Sequence, residues 1–230
     1  FRGPQHRTLG RNLMAQYPCL REAIVIGTES DYLLHTRALA AAAAEYFDEK
    51  LVNRRSSVKV GLSGGLTVFE FVKALPEKPR NITLYPTAIL GRGDTIVNHV
   101  DPIASVMLLW GKSGYRKDHL FLVTVTPLEK KPDGRGLTLN EIQQEVDSLL
   151  KRQKVLRIYE SMAAVDVVVA SVRQMGLPSR TIRRMGATAV DLLGDVGVTE
   201  ADLEGAVGDL NYSFIDELGE SRREWRLFLS

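Results

Sequence analysis

A short strand, a glycine loop and the start of a helix follow one another in residues 58–75, which read VKVGLSGGLTVFEFVKAL. The apolar run from Val58 ends at Gly61, a loop of small residues follows, and a helical apolar pattern begins at Val68. Because the first N–H groups of a helix have no intrahelical partner, this arrangement can hold a phosphate group. The alternative is an ordinary tight turn in which the glycines serve backbone geometry alone.

The loop does not match the better-known nucleotide-binding loops. It contains no Gly-Lys-Ser/Thr, so it is not a nucleoside-triphosphate loop. It also lacks Gly-x-Gly-x-x-Gly, and Glu70 follows too closely to be the acid that binds a dinucleotide ribose. If the loop binds an anion, we therefore expect a phosphorylated small molecule.

The composition is that of an ordinary globular protein of 230 residues, with 44% hydrophobic and 25% charged residues. A single cysteine, Cys19, rules out an internal disulfide, which fits a reducing cytoplasm. The formal net charge of +2 is too small to indicate nucleic-acid binding by this chain. No apolar run reaches membrane length, and the four histidines are scattered without ligand spacing. We therefore predict no metal site, no cofactor and no membrane partner.

Strand-like and helix-like segments alternate along the chain, which predicts an α/β domain with a doubly wound, mostly parallel sheet. Asp31 is predicted to cap the helix that follows it. Ligands bind outside the carboxyl ends of the strands in such sheets, where the glycine loop and a second loop at 91–93 would lie. The predicted helices are 9–20, 32–52, 102–113 and 138–162, and the predicted strands are 22–27, 58–62, 81–86, 119–125 and 165–171.

Five segments of the chain resemble, in the same order, conserved blocks of one known family. They are LGRNLMAQYPCLREAIVI, VGLSGGLTVFEFVKAL, LYPTAILGRGD, VLRIYESMAAVDVVVASV and LEGAVGDLNYSFIDELGE. The second resembles a strand and phosphate loop of the form V-G-x-x-x-G-x-T, and the last resembles G-A-V-G-D-I-x-x-x-x-F-D-x-x-G. With these blocks the chain resembles the sugar-binding, or effector, domain of the SorC family of bacterial transcriptional regulators.

The resemblance implies a Rossmann-like fold similar to that of sugar-phosphate isomerases and deaminases. It also implies a cytoplasmic sensor, not an enzyme, that binds a phosphorylated sugar and forms a homo-oligomer, either a dimer or a tetramer. DNA is a partner only through an N-terminal helix-turn-helix, which is absent from this chain. We expect residues 1–8 to be a linker remnant and 9–230 to be the effector domain. The family's further strand, Gly-Gly loop and lysine are not found before Ser230.

The resemblance also assigns ligand-binding residues. Asp209, in the best-matched block, would accept hydrogen bonds from sugar hydroxyls, the alternative being a cap or a turn. The loop residues expected to surround the phosphate are Ser63, Gly64, Gly65, Leu66 and Thr67. The backbone N–H groups of Gly65 to Thr67, with the Thr67 hydroxyl, would donate to phosphate oxygens.

Other candidates lie on predicted loops at the same edge of the sheet. Arg92 could hold a phosphate bidentately or could be a solvated surface cation. Asp94 fits a turn residue better than an acceptor for a sugar hydroxyl. Arg173 and Gln174 follow a buried strand and so would face the ligand by topology alone. The end of this strand and the residues after it read Ala170-Ser171-Val172-Arg173-Gln174-Met175-Gly176, where the family usually has a Gly-Ile-Gly turn.

Two other functions stay open at this point. A sugar-phosphate isomerase or deaminase would need a general base and a second acid–base group converging on the sugar. The carboxylates near the predicted loops are Asp94, Asp209 and Glu70, no histidine joins them, and Glu70 would point away along its helix. The third possibility is an oligomerisation module whose pocket has decayed, because the lysine segment is missing and the loop at Arg173 departs from the family pattern.

Overall fold

The computed structural model describes most of the elements predicted around the glycine loop. The described residues are 5–27, 31–52, 57–77, 82–87, 102–114, 137–152, 157, 160–174, 201, 204–210, 213–218 and 220–221. The predicted strand at 119–125 lies outside them, as do Arg92 and Asp94. None of the described helices is both long enough and apolar enough to span a membrane.

A three-stranded parallel sheet forms the centre of the described structure. Its strands are β1 (Val58–Leu62), β2 (Ile82–Pro86) and β3 (Val167–Val169), in the order β2-β1-β3. The start of β3 is bonded to β1 by two hydrogen bonds: the Lys59 N–H donates to the Asp166 carboxylate at 2.8 Å, and the Asp166 N–H donates to the Lys59 carbonyl at 2.9 Å. Since the strands are parallel, their carboxyl ends meet at one edge of the sheet.

The helices begin close to the residues at which the sequence predicts them. Asp31 caps α2, its carboxylate accepting a hydrogen bond from the Leu34 N–H at 2.9 Å, which confirms the predicted cap. At the start of α5, Thr138 and Glu141 bond each other reciprocally in a capping box. The described α-helices are α1 (Arg7–Gln16), α2 (Tyr32–Tyr46), α3 (Leu66–Ala74), α4 (Pro102–Lys112) and α5 (Leu139–Leu150). A π-helical turn, Phe47–Val52, extends α2.

The core lies where α2, α3 and α4 pack against the parallel sheet. Phe71 of α3 meets Phe47 edge-on, with the ring centroids 5.4 Å apart. Small alanines on α2, including Ala40 and Ala44, are buried in the same cluster and allow α2 to lie close to α3. A mixed α/β fold with helices flanking a parallel sheet is therefore confirmed.

A second, antiparallel sheet follows the first and was not predicted. Its strands are β4 (Val172–Gln174), β5 (Gly208–Leu210) and β6 (Ser213–Ile215), in the order β4-β5-β6. Only Ala170 and Ser171 separate β3 from β4, so the chain passes directly from one sheet to the other. The predicted strand 165–171 is therefore shorter in the structure, where β3 begins at Val167 and ends at Val169.

Two other predicted elements are shorter in the structure. Among the residues that the structure describes, the predicted strand 22–27 makes only an isolated antiparallel bridge, between Ile26 and Gln5. The helix predicted over 138–162 begins as α5, from Leu139 to Leu150; a turn follows at 151–152, and residues 157 and 160–162 are helical again.

Candidate anion-binding site

The glycine loop lies at the carboxyl edge of the parallel sheet, between the ends of β2 and β3. Immediately after β1, the Ser63 N–H donates to the Val169 carbonyl at the end of β3, at 2.9 Å. On the other side, the Thr87 N–H after β2 donates to the Leu62 carbonyl at 3.0 Å. Both neighbouring strands therefore hold the point at which β1 passes into the loop.

Gly65 turns the chain from the loop into α3. Its φ of 101° and ψ of 154° lie in a region that side-chain-bearing residues rarely adopt. The first helical hydrogen bond joins the Phe69 N–H to the Gly65 carbonyl at 3.0 Å, and Gly65 itself offers no side-chain cap. The N–H groups of Leu66 and Thr67 thus lie at the open end of the helix, where an anion is favoured.

Two serine hydroxyls, one in the loop and one on the segment after β3, lie near the same backbone carbonyl of the loop. The Ser63 hydroxyl donates to the Gly64 carbonyl at 3.0 Å, and the Ser171 hydroxyl, on the segment after β3, lies 3.5 Å from the same carbonyl. Ser63 is only 1% exposed, whereas Gly65, Leu66 and Thr67 are half-buried. The Ser63 hydroxyl therefore holds the loop together, while the start of α3 is open to a ligand.

Sequence reasoning did not assign a role to Ser171. In the structure its Oγ would lie 3.1 Å from a Cβ placed on Gly65, so it forms a wall of the loop. The available signal was its position directly after the strand that neighbours β1, on the segment that departs from the family's Gly-Ile-Gly.

Gly61, near the end of β1, is also closely packed. A Cβ on Gly61 would lie 2.6 Å from the Thr87 methyl group, so β1 and the end of β2 are in contact at this glycine. Tyr85 is the register partner of Gly61 on β2. Burial raises the pKa of the Tyr85 phenol above its ordinary 10.0, so this group stays neutral at physiological pH.

Arg173 and Asp209 are brought together by the antiparallel sheet. They are direct register partners between β4 and β5, and Gln174 is the partner of Gly208. The residues predicted on two distant segments of the chain are thus neighbours in one ladder, which is separated from the end of β3 by two residues. The other two predicted residues, Arg92 and Asp94, lie outside the described part of the chain.

Comparison with known proteins finds similarity at the level of the fold. No protein-family model and no curated protein matches the sequence. Solved structures do match. The full-length sorbitol operon regulator SorC from Klebsiella pneumoniae has a TM-score of 0.70 and 16% identity, over 94% of this chain and 63% of that chain.

Two further solved structures have the same character. A DeoR family transcriptional regulator from Listeria monocytogenes has a TM-score of 0.65 and 20% identity, over 94% of this chain and 75% of that chain. A domain of a possible sugar-binding transcriptional regulator from Arthrobacter aurescens has a TM-score of 0.63 and 15% identity, over 94% of this chain and 74% of that chain. The chain therefore has the fold of these regulators' domains, which confirms the fold that the resemblance to the SorC family implies.

Proposed function

We propose that this chain is the ligand-sensing domain of a bacterial transcriptional regulator and that its ligand is a phosphorylated sugar. The observation that carries the proposal is the start of α3, where Gly65 leaves the N–H groups of Leu66 and Thr67 half-buried and without a side-chain cap. This helix end lies at the carboxyl edge of the parallel sheet, the usual ligand position in such folds. The similarity to solved structures of transcriptional regulators supports the regulatory part of the proposal.

In this proposal the phosphate sits on the glycine loop. Gly65, Leu66 and Thr67 donate N–H groups to its oxygens, the Thr67 hydroxyl donates a further bond, and Ser63 and Gly64 hold the loop in shape. The sugar extends toward β4 and β5, where Asp209 accepts from its hydroxyls and Arg173 and Gln174 stand on the paired strand. Arg92 supplies a second contact to the phosphate, and Asp94 has a turn role or binds a hydroxyl.

A sensor acts by binding its ligand with different affinity in two states of the regulator. We place this domain in a cytoplasmic homo-oligomer in which a helix-turn-helix, preceding the domain as in the SorC family, reads the operator. The ligand would then change operator affinity without being converted. The carboxylate nearest the loop in sequence, Glu70, is engaged by Arg37 and Lys73, so it is occupied by cations rather than poised as a base.

The test is titration calorimetry with a panel of sugar phosphates and the corresponding free sugars, combined with a product assay on the same mixtures. We expect at least one sugar phosphate to bind, its free sugar to bind much more weakly, and no product to form. Turnover would replace the sensor with an isomerase or deaminase. Failure of every panel member to bind would favour an oligomerisation module.

Replacing Thr67 by valine should weaken binding of the phosphorylated ligand by roughly 5- to 150-fold, since one hydrogen bond to a charged oxygen is worth about 1–3 kcal/mol. Valine keeps the shape of threonine but removes the hydroxyl. Calorimetry on the sugar phosphate and the free sugar measures the effect on each ligand. Thr8→Val, at an exposed position of α1, is the matched control and should bind as the wild type does. An equal loss for both ligands would refute the role assigned to the Thr67 hydroxyl.

A further inference from the structure

A nearly buried carboxylate lies on the helix that begins at the glycine loop. Glu70 is the fifth residue of α3, and its side chain is 10% exposed. One carboxylate oxygen lies 3.3 Å from Nε of Arg37 on α2, and the other lies 2.7 Å from Nζ of Lys73, one helical turn further along α3. A single buried anion is thus paired with two cations from two helices.

This cluster is close enough to the start of α3 to influence a bound anion. Glu70 follows Leu66 by four residues, which is a rise of roughly 6 Å along the helix axis. That rise is shorter than the Debye length of about 8–10 Å at physiological salt, and burial reduces screening further. A carboxylate at this place would repel a phosphate at the helix end if its charge were not balanced.

Arg37 and Lys73 more than balance the negative charge of Glu70. Two cations and one carboxylate leave one net positive charge beside the proposed phosphate site. Lys73 belongs to α3 itself, whereas Arg37 is supplied by α2, the helix that packs most extensively against α3. The charge balance therefore depends on the packing of these two helices.

We infer that the Arg37–Glu70–Lys73 cluster sets the anion affinity of the glycine loop, with Arg37 as a positioning residue that neutralises Glu70 and makes no ligand contact itself. The inference rests on the proposed function, because it needs the loop to bind phosphate. An electrostatic role of the cluster can be distinguished from a purely structural contact between α2 and α3 by how the anion affinity changes when the Glu70 charge is removed. Removing the Glu70 charge should strengthen anion binding, whereas loss of a structural tie would weaken it.

The experiment is titration of the 15N-labelled protein with inorganic phosphate, followed through the amide signals of Gly64, Gly65 and Leu66. We expect Glu70→Gln to bind phosphate about three- to tenfold more tightly, as one unit charge at such a distance would give. Arg37→Met should bind more weakly, with a smaller change because the Arg37 side chain is 52% exposed and water screens it. Arg37→Lys keeps the charge and should restore most of the wild-type affinity. The changes in phosphate affinity of Glu70→Gln and Arg37→Met should both become smaller as the salt concentration is raised.

Matched controls change the same charges elsewhere. Glu77→Gln removes a carboxylate beyond the other end of α3, where Glu77 pairs with Lys112 at 3.5 Å and is 78% exposed. Arg11→Met removes an exposed arginine of α1. Both should change phosphate affinity by less than about twofold, because exposed charges are strongly screened. Thermal unfolding of every variant establishes that it is folded at the titration temperature.

The possible outcomes distinguish failure of the inference about the cluster from failure of the proposed function. Unchanged affinity in both Glu70→Gln and Arg37→Met, with normal wild-type binding, would overturn the inference and leave the proposed function standing. Weaker binding in both would show a structural tie and would also overturn it. Absence of any phosphate-induced shift at the loop amides of the wild type would remove the phosphate site itself.

Discussion

A Gly65→Ala variant should be less stable than the wild type by about 1–3 kcal/mol and should lose most of its affinity for phosphorylated ligands. Alanine at φ 101° and ψ 154° is strained, and its Cβ would lie 3.1 Å from the Ser171 hydroxyl. We expect the backbone to relieve this strain by turning the peptide before Leu66, which would move the N–H groups that we assign to the phosphate. Denaturant unfolding measures the first effect and titration calorimetry the second.

Gly114 provides the matched control for this substitution. It also has a positive φ, 84°, but a Cβ there would meet no atom of the described residues within 4 Å, and it lies in the turn after α4. Gly114→Ala should therefore cost some stability through backbone strain alone and should leave ligand binding intact. Unchanged phosphate affinity in Gly65→Ala, with its stability lowered as expected, would contradict the position that we assign to the anion.

Phe71→Ala should lower the free energy of unfolding by about 3–5 kcal/mol, the usual cost of deleting a buried phenyl ring. Phe71 is 2% exposed and packs edge-on against Phe47, so its removal leaves a cavity between α2 and α3. A loss of this size is a large part of the total stability of a typical domain, about 5–15 kcal/mol. Denaturant unfolding followed by circular dichroism measures it.

Two substitutions test whether this loss comes from packing at that point. Phe71→Leu keeps most of the volume and should cost much less than the alanine variant. Phe69→Ala removes the same ring two residues away on α3, where Phe69 is only half-buried and lies under the Lys73 ammonium group at 5.9 Å. A loss for Phe71→Ala no larger than that for Phe69→Ala would show that Phe71 is not at the centre of the packing.

The strand, loop and helix of residues 58–75 could be predicted because their signals are local. Gly61 ends an apolar run, Gly64 and Gly65 supply the turn, and the apolar spacing from Val68 matches a helix facing the sheet. The cap of α2 at Asp31 was equally visible, since its signal lies within three residues of the helix start. For these elements the sequence period and the burial pattern agree.

The parts of the fold and of the site that were not predicted depend on contacts between distant segments of the chain. Strands of three residues, such as β5 and β6, are too short to show an alternating pattern, so the antiparallel sheet was missed. The pairing of Arg173 with Asp209 is a matter of register across that sheet, which no local signal encodes. Ser171 reaches Gly64 only because β3 lies beside β1, and the approach of Arg37 to Glu70 requires the packing of α2 on α3.

The pairing of β1 with β3 has a consequence for the order in which the molecule is assembled. β1, α3 and β2 are close in sequence and can associate early, whereas Lys59 and Asp166 are 107 residues apart. Closing so long a stretch of chain costs entropy before its contacts form, so we expect this pairing to form late in folding. Ser171 arrives at the glycine loop with that strand. In a nascent chain we therefore expect the glycine loop to form before Ser171 reaches it, and anion binding to appear only once β3 has docked.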